Sequence, residues 1–242
     1  MAQKKRIPTP AIIVYWVVTL GLFVGGLFLL AYYTPANLRT PEYDAGAAQK
    51  IFYIHLPIAI NTFVAALLVG VAGVAYLIGR RLVWDDFAYA AGKTAVLLGG
   101  IVLLTGVIWG RSAWWNARPW FVWWEWTPRL TFSLVLWLLY VVYLMIRPSI
   151  ESANRRALVC AVYGIIAFLD VPLVYFSTKL LPDLHVPPGQ AMSSGMKWTL
   201  LYWFAPITMM HVGILYHRFC LNRDERALYE SAYDNEQTPA VA

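Results

Sequence analysis

Six long apolar runs separated by shorter polar stretches organise the chain, at about residues 11–33, 56–79, 88–109, 130–146, 157–179 and 198–217. The 32 residues from 7 to 38 contain no Asp, Glu, Lys or Arg, and a helix of about 20 apolar residues already crosses the hydrocarbon core of a bilayer. The runs are too long and unbroken for the short alternating strands of an outer-membrane barrel, so each backbone N–H and C=O must be satisfied within its own helix. The pattern predicts an all-α integral membrane protein: a bundle of six transmembrane helices forming a single domain, with a Trp-rich outer loop. Lys4, Lys5 and Arg6 precede the first run as they would a secretory signal. That run is longer than a signal's apolar segment and no small-residue cleavage site closes it promptly, so it reads as a retained anchor. Residues 223–242 form a polar tail, polar enough to be partly unstructured. No internal repeat, low-complexity run or Gly/Ser linker divides the chain.

Composition agrees with the pattern. With 60% apolar and 13% charged residues and a mean hydropathy of +0.57, the 242-residue chain is not an ordinary cytosolic enzyme. Its net charge of +6 does not point to nucleic acid, because the basic residues sit at segment ends rather than on one surface. They set topology instead. Twelve Lys and Arg fall on the side of the two termini (Lys4, Lys5, Arg6, Arg80, Arg81, Lys93, Arg147, Arg155, Arg156, Arg218, Arg223, Arg226) and seven on the other. The richer side is cytoplasmic, so both termini are expected there. The connections at about 34–55, 110–129 and 180–197 then face outward. Cys160 and Cys220 have neither CxxC nor CxxCH spacing and read as packing residues.

Candidate chemistry concentrates in those outer connections. Seven of the twelve tryptophans, Trp109, Trp114, Trp115, Trp120, Trp123, Trp124 and Trp126, lie in WGRSAWWNARPWFVWWEWTPRLT. An interfacial aromatic belt explains single tryptophans, but a belt is spread over all helix ends. One loop holding most of the indoles suits a large, flat, apolar ligand. Arg111, Arg118 and Arg129 are interleaved with them. Each alone reads equally well as a headgroup anchor; together with the indoles they fit a flat ligand carrying carboxylates. Glu125 can pair with an arginine, hydrogen-bond a ligand or be solvated. Thr127 followed by Pro128 is a helix-start signal.

Two histidines share the outer side: His55 in KIFYIHLP, at the start of the second span, and His185 in LPDLHVPPG, in the third outer connection. Their common side allows both imidazoles to converge on a ligand iron, since neutral imidazole ligates haem. His211, inside the sixth span, and His217, at its cytoplasmic end, take a structural reading. Asp170, Pro172 and Lys179 interrupt the fifth span; Asp170 faces the bundle, is protonated or bonds backbone freed by the proline, while Lys179 snorkels outward.

With the outer histidines and the tryptophan loop in hand, the chain resembles, over essentially its whole length, the CcmC/CcsA haem-handling family of cytochrome c maturation. KIFYIHLP is similar to that family's first histidine motif, WGRSAWW and WWEWTPRLT to its tryptophan-rich signature, and DVPLVYFS followed by His185 to the approach to its second histidine. The resemblance implies haem b held at the outer surface of a bacterial inner membrane, with His55 and His185 as axial iron ligands. Trp114, Trp115, Trp120, Trp123, Trp124, Trp126 and Arg129 would form the haem surface. It further implies delivery to a haem chaperone, CcmE, alongside the ABC-type transporter subunits CcmA and CcmB and the small subunit CcmD, and no conventional enzyme activity. The chain departs from the family pattern in having Thr127 where an Asp is usual, NARPWF within the signature, Lys179, Leu180 and Leu181 where paired tryptophans are common, and Lys50 where Arg is common. Two other readings stand beside this one. One is a cytochrome b-type electron carrier or quinone-reactive subunit; the other is a transporter using Asp170.

Overall fold

The computed structural model describes residues 7–34, 39–40, 43–44, 46–113, 123–180 and 192–237. The chain runs through α1 (Thr9–Tyr32), a ribbon of β1 (Arg39–Thr40) paired antiparallel with β2 (Tyr43–Asp44), and a 3-10 turn (Gly46–Gln49). It continues through α2 (Lys50–Gly79), α3 (Leu82–Ala113), α4 (Pro128–Ile146), α5 (Ala153–Phe168), α6 (Asp170–Leu180) and α7 (Ser194–Gln237). Six stretches among the described residues are long and apolar enough to cross a membrane: Thr9–Tyr32, Ala47–Gly79, Leu82–Ser112, Pro128–Ile146, Ala153–Ser177 and Ser194–Ala232. The expected all-α membrane fold is observed.

Local chemistry explains the helix ends. The Thr127 side chain accepts a hydrogen bond from the Leu130 N–H at 3.4 Å, and Pro128 occupies the first turn of α4, satisfying an otherwise unpaired donor as the sequence predicted. Ser152 does the same for α5 through the Arg155 N–H. The fifth span is broken between α5 and α6 at Leu169. Pro172 lacks an N–H and its ring crowds the carbonyl four residues back, at Phe168, so regular helix stops there; the Leu169 N–H turns to the Ile166 carbonyl instead, at 3.0 Å.

Packing divides the chain into two compact units. The first draws on Met1–Ile58, Leu104–Trp124 and Pro188–Gly213, the second on Ala59–Leu103, Glu125–Pro187 and Ile214–Ala242. In the first, Phe23 meets Trp203 edge-on at 5.2 Å and the Tyr202 hydroxyl donates to the Leu22 carbonyl at 2.7 Å. Thr34 and Thr199 hydroxyls pair at 3.3 Å. The second has a core built largely of small side chains, among them Ala65, Ala66, Val69, Ala88, Ala91 and Ala95, with Tyr140 and Tyr143 filling the space between helices. Small residues let helix backbones approach closely where lipid gives no hydrophobic drive for association. At Gly73 the approach is complete: a Cβ would stand 2.8 Å from the Ala161 carbonyl oxygen.

Two adjacent acids fasten the second unit. Arg147 donates from Nη1 to Asp85 Oδ1 at 2.9 Å and from Nη2 to Oδ2 at 2.6 Å, and both residues are buried. Its guanidinium also lies 4.2 Å from the Tyr89 ring centroid. Asp86 accepts from Arg226 Nε at 3.0 Å and Nη2 at 2.8 Å, while its backbone carbonyl accepts from Asn222 Nδ2 at 2.9 Å. Lys93 closes the group by donating to Asn222 Oδ1 at 2.9 Å.

This fastening reaches the polar tail expected from residue 223. Its described residues continue α7 as helix to Gln237, and 238–242 lie outside the described residues. Its residues are good helix formers, Arg226 pairs with Glu230 one turn on at 2.9 Å, and Arg226 is anchored to Asp86. With 44 residues, α7 has about twice the number that crossing a hydrocarbon core requires.

Candidate functional site

His55 lies in the second turn of α2, half-buried, two residues before Pro57. Lys50, at the first position of α2, donates to the Ala31 carbonyl of α1 at 3.2 Å. The His55 ring rests against α3 near that helix's C-terminal end. Its Nδ1 lies 2.8 Å from the Thr105 hydroxyl, and a Cβ on Gly106 would stand 3.3 Å from its Cε1. The start of α2 and the end of α3 therefore share one end of the first unit, as the sequence requires for His55 to lie on the side of the tryptophan loop.

Beyond Thr105, α3 carries the first residues of that loop. Trp109, one turn on and on the same helix face, is buried at 6% exposure. Arg111, in the last turn, places its guanidinium 4.2 Å over the ring of Trp123. Trp123 is 53% exposed. A cation against an indole face at that distance is favourable and holds an exposed aromatic ring in a fixed orientation at the helix end. Within one compact unit the sequence-predicted His55, Arg111, Trp123 and half-buried Trp124 are thus present together.

Trp126 and Arg129 belong to the second unit. Trp126 is 72% exposed immediately before the Thr127 cap. Arg129 donates from Nη2 to the Tyr175 carbonyl at 3.2 Å, tying the first turn of α4 to α6. His185, Trp114, Trp115, Trp120 and Arg118 lie outside the described residues. Of the other polar residues singled out, His211 is buried at 2% exposure, His217 packs edge-on to Tyr216 at 5.7 Å, and Asp170 is buried at the first position of α6. Lys179 is exposed, its Nζ 5.6 Å from the Tyr175 ring and 5.7 Å from that of Phe176. Cys160 is buried and Cys220 half-buried, both as free thiols.

Sequence reasoning missed Thr105 and Gly106, which look ordinary inside an apolar span. It also read Arg147 and Arg226 as topology markers without their acids. The neighbouring Asp85 and Asp86, at the start of a long apolar helix, were the available signal: carboxylates there call for basic partners.

The profile for heme exporter protein C matches residues 3–232. Heme exporter protein C of Paracoccus denitrificans is 31% identical over 184 residues, covering 73% of this chain and 74% of its own length. That of Rhodobacter capsulatus is 33% identical over 175 residues, covering 69% and 66% respectively. That of Escherichia coli K12 is 26% identical over 181 residues, covering 71% of each. A match over nearly the whole length, together with the six spans and the placement of KIFYIHLP beside the end of α3, identifies the chain as a member of the heme exporter protein C family.

Proposed function

We propose that this chain is the haem-holding membrane component of cytochrome c maturation. It sits in a bacterial inner membrane with both termini cytoplasmic, presents haem b at the periplasmic surface and loads it onto the haem chaperone CcmE. The ABC-type subunits CcmA and CcmB and the small subunit CcmD are its working partners. Haem is cargo in this reading, and the role is carriage rather than conventional enzyme catalysis.

The observation that carries this reading is the grouping, in one compact unit of a chain of this family, of His55 with the Arg111–Trp123 stack at one end of the helices. An imidazole oriented by a hydrogen bond at one ring nitrogen is suited to ligate iron through the other. An exposed indole held flat by a guanidinium gives a porphyrin a surface to lie on, and arginines near it suit the propionates. In this account His55 and His185 ligate the iron from its two sides. Trp114, Trp115, Trp120, Trp123, Trp124, Trp126 and Arg129 are assigned to the haem surface. Release follows when the chaperone supplies its own ligand.

The test is a loading assay in membranes, with haem followed onto the chaperone. Replacing Trp123, Trp124 and Trp126 together by Ala should abolish most loading while the protein accumulates and unfolds like the wild type. Wild-type loading by that variant defeats the role given to the loop. A reversible redox reaction with quinol in the purified protein would favour the electron-carrier reading instead.

A further inference from the structure

We infer that Thr105 is a positioning residue for His55: its hydroxyl fixes the orientation and tautomer of the imidazole so that Nε2 is the nitrogen offered to iron, and Gly106 supplies the room for that approach. The inference rests on the reading of His55 as a haem ligand and goes beyond it, because it assigns the atom that binds and the groups that aim it.

Two independent contacts support it. The Nδ1 to Oγ1 distance of 2.8 Å is a full hydrogen bond, and the Cε1 atom lies where a Cβ on residue 106 would be 3.3 Å away. The Nδ1–Cε1 edge of the ring therefore faces α3, and only a glycine at 106 leaves that edge uncrowded. Thr105 and Gly106 are consecutive residues near the end of a 32-residue helix, so the groups that meet the ring are held by rigid backbone.

We assign the bond one direction. A threonine hydroxyl within a helix can give its single proton to the carbonyl one turn back; in this assignment the Thr105 oxygen accepts and Nδ1–H donates. That tautomer places the lone pair on Nε2, the form in which a neutral imidazole ligates a metal. Metal-bound histidines commonly donate from the other ring nitrogen to an oxygen, which orients the ring and raises its basicity. A hydroxyl does the first fully and the second only weakly, because it lacks the negative charge of a carboxylate. A ligand aimed firmly but not strengthened electronically suits a site that must hand its haem on.

The experiment titrates haem into the full-length, haem-free protein in mild detergent. It records affinity from the Soret band and ligand geometry from the low-spin ferric electron paramagnetic resonance signal, for wild type, Thr105→Val, Thr105→Ser, Gly106→Ala and His55→Ala. Thr105→Val keeps the shape and removes the acceptor. It should weaken haem binding by roughly 10- to 100-fold, the usual cost of losing an outer-shell partner, and shift the low-spin signal, while Thr105→Ser restores both. Gly106→Ala favours the helix and pushes only the ring, so its low-spin signal should shift as well. Wild-type affinity and signal in Thr105→Val, with the signal lost in His55→Ala, overturn the positioning role and leave the ligand reading standing. An intact signal in His55→Ala overturns the ligand reading itself, and this inference with it. Where Thr105→Val fails to fold, Gly106→Ala decides: an unshifted signal there overturns the inference.

Discussion

The two compact units use polar groups in opposite ways. In the second unit, Asp85 and Arg147 are both buried and meet through two charge-assisted hydrogen bonds, and Asp86 is held by Arg226 and Asn222. Those charges are matched partner to partner and serve to fasten helices. In the first, His55 is half-buried, Trp123 is 53% exposed, and the contacts that Thr105 and Arg111 make with them each orient a ring. Matched buried charge builds the scaffold; oriented, exposed rings build the face that meets a ligand. Removing a group from the first kind of region should cost stability, and removing one from the second should cost ligand binding.

The largest stability effect is expected at Arg147. Arg147→Met leaves the Asp85 carboxylate buried without its partner, a loss of about 3–5 kcal/mol, read as a large drop in thermal midpoint of the detergent-solubilised protein. The double replacement Asp85→Leu with Arg147→Met should recover most of it, since a buried pair exchanged together for apolar groups is close to neutral. Failure of the double variant to recover would mean that the pair does more than match charge. A smaller loss, about 1–2 kcal/mol, is expected for Arg226→Ala, whose side chain is 26% exposed and whose bonds to Asp86 are charge-assisted. It should appear as faster hydrogen exchange and proteolysis in residues 223–237 with the spans unaffected. Thr127→Ala removes a cap and should cost about 1 kcal/mol, with Thr127→Asp close to wild type because a carboxylate caps equally well. The smallest stability change belongs to Trp123→Ala, within about 0.5 kcal/mol as for other exposed positions. That same variant should show a clear fall in haem occupancy, which is where the contrast between the regions is sharpest.

Much of the fold was legible because a bilayer imposes a simple rule: backbone must be satisfied within apolar helices, and long uncharged runs reveal them. The start of α4 was legible from Thr127 and Pro128, since capping is local, and the interruption of the fifth span was legible from Pro172. The continuation of α7 was not. Polarity after residue 223 reads as solvated chain, and what orders it, the pairing of Arg226 with Asp86, joins residues 140 apart in sequence. The site divides in the same way. His55 and the tryptophans declare themselves by residue type and position, whereas Thr105 and Gly106 acquire meaning only when α3 is laid against α2. Arg129 shows the converse: its type suggested ligand contact, and the structure gives its guanidinium a bond to the Tyr175 carbonyl as well.

The most direct test of the central claim, that haem is held through His55 at this end of the helices, is the oxidised and reduced ultraviolet-visible spectrum of the purified protein beside His55→Ala and His185→Ala. The account predicts a six-coordinate haem signal in the wild type, with its Soret band shifted or its occupancy lowered in each variant. Spectra and occupancy unchanged in both variants would contradict it.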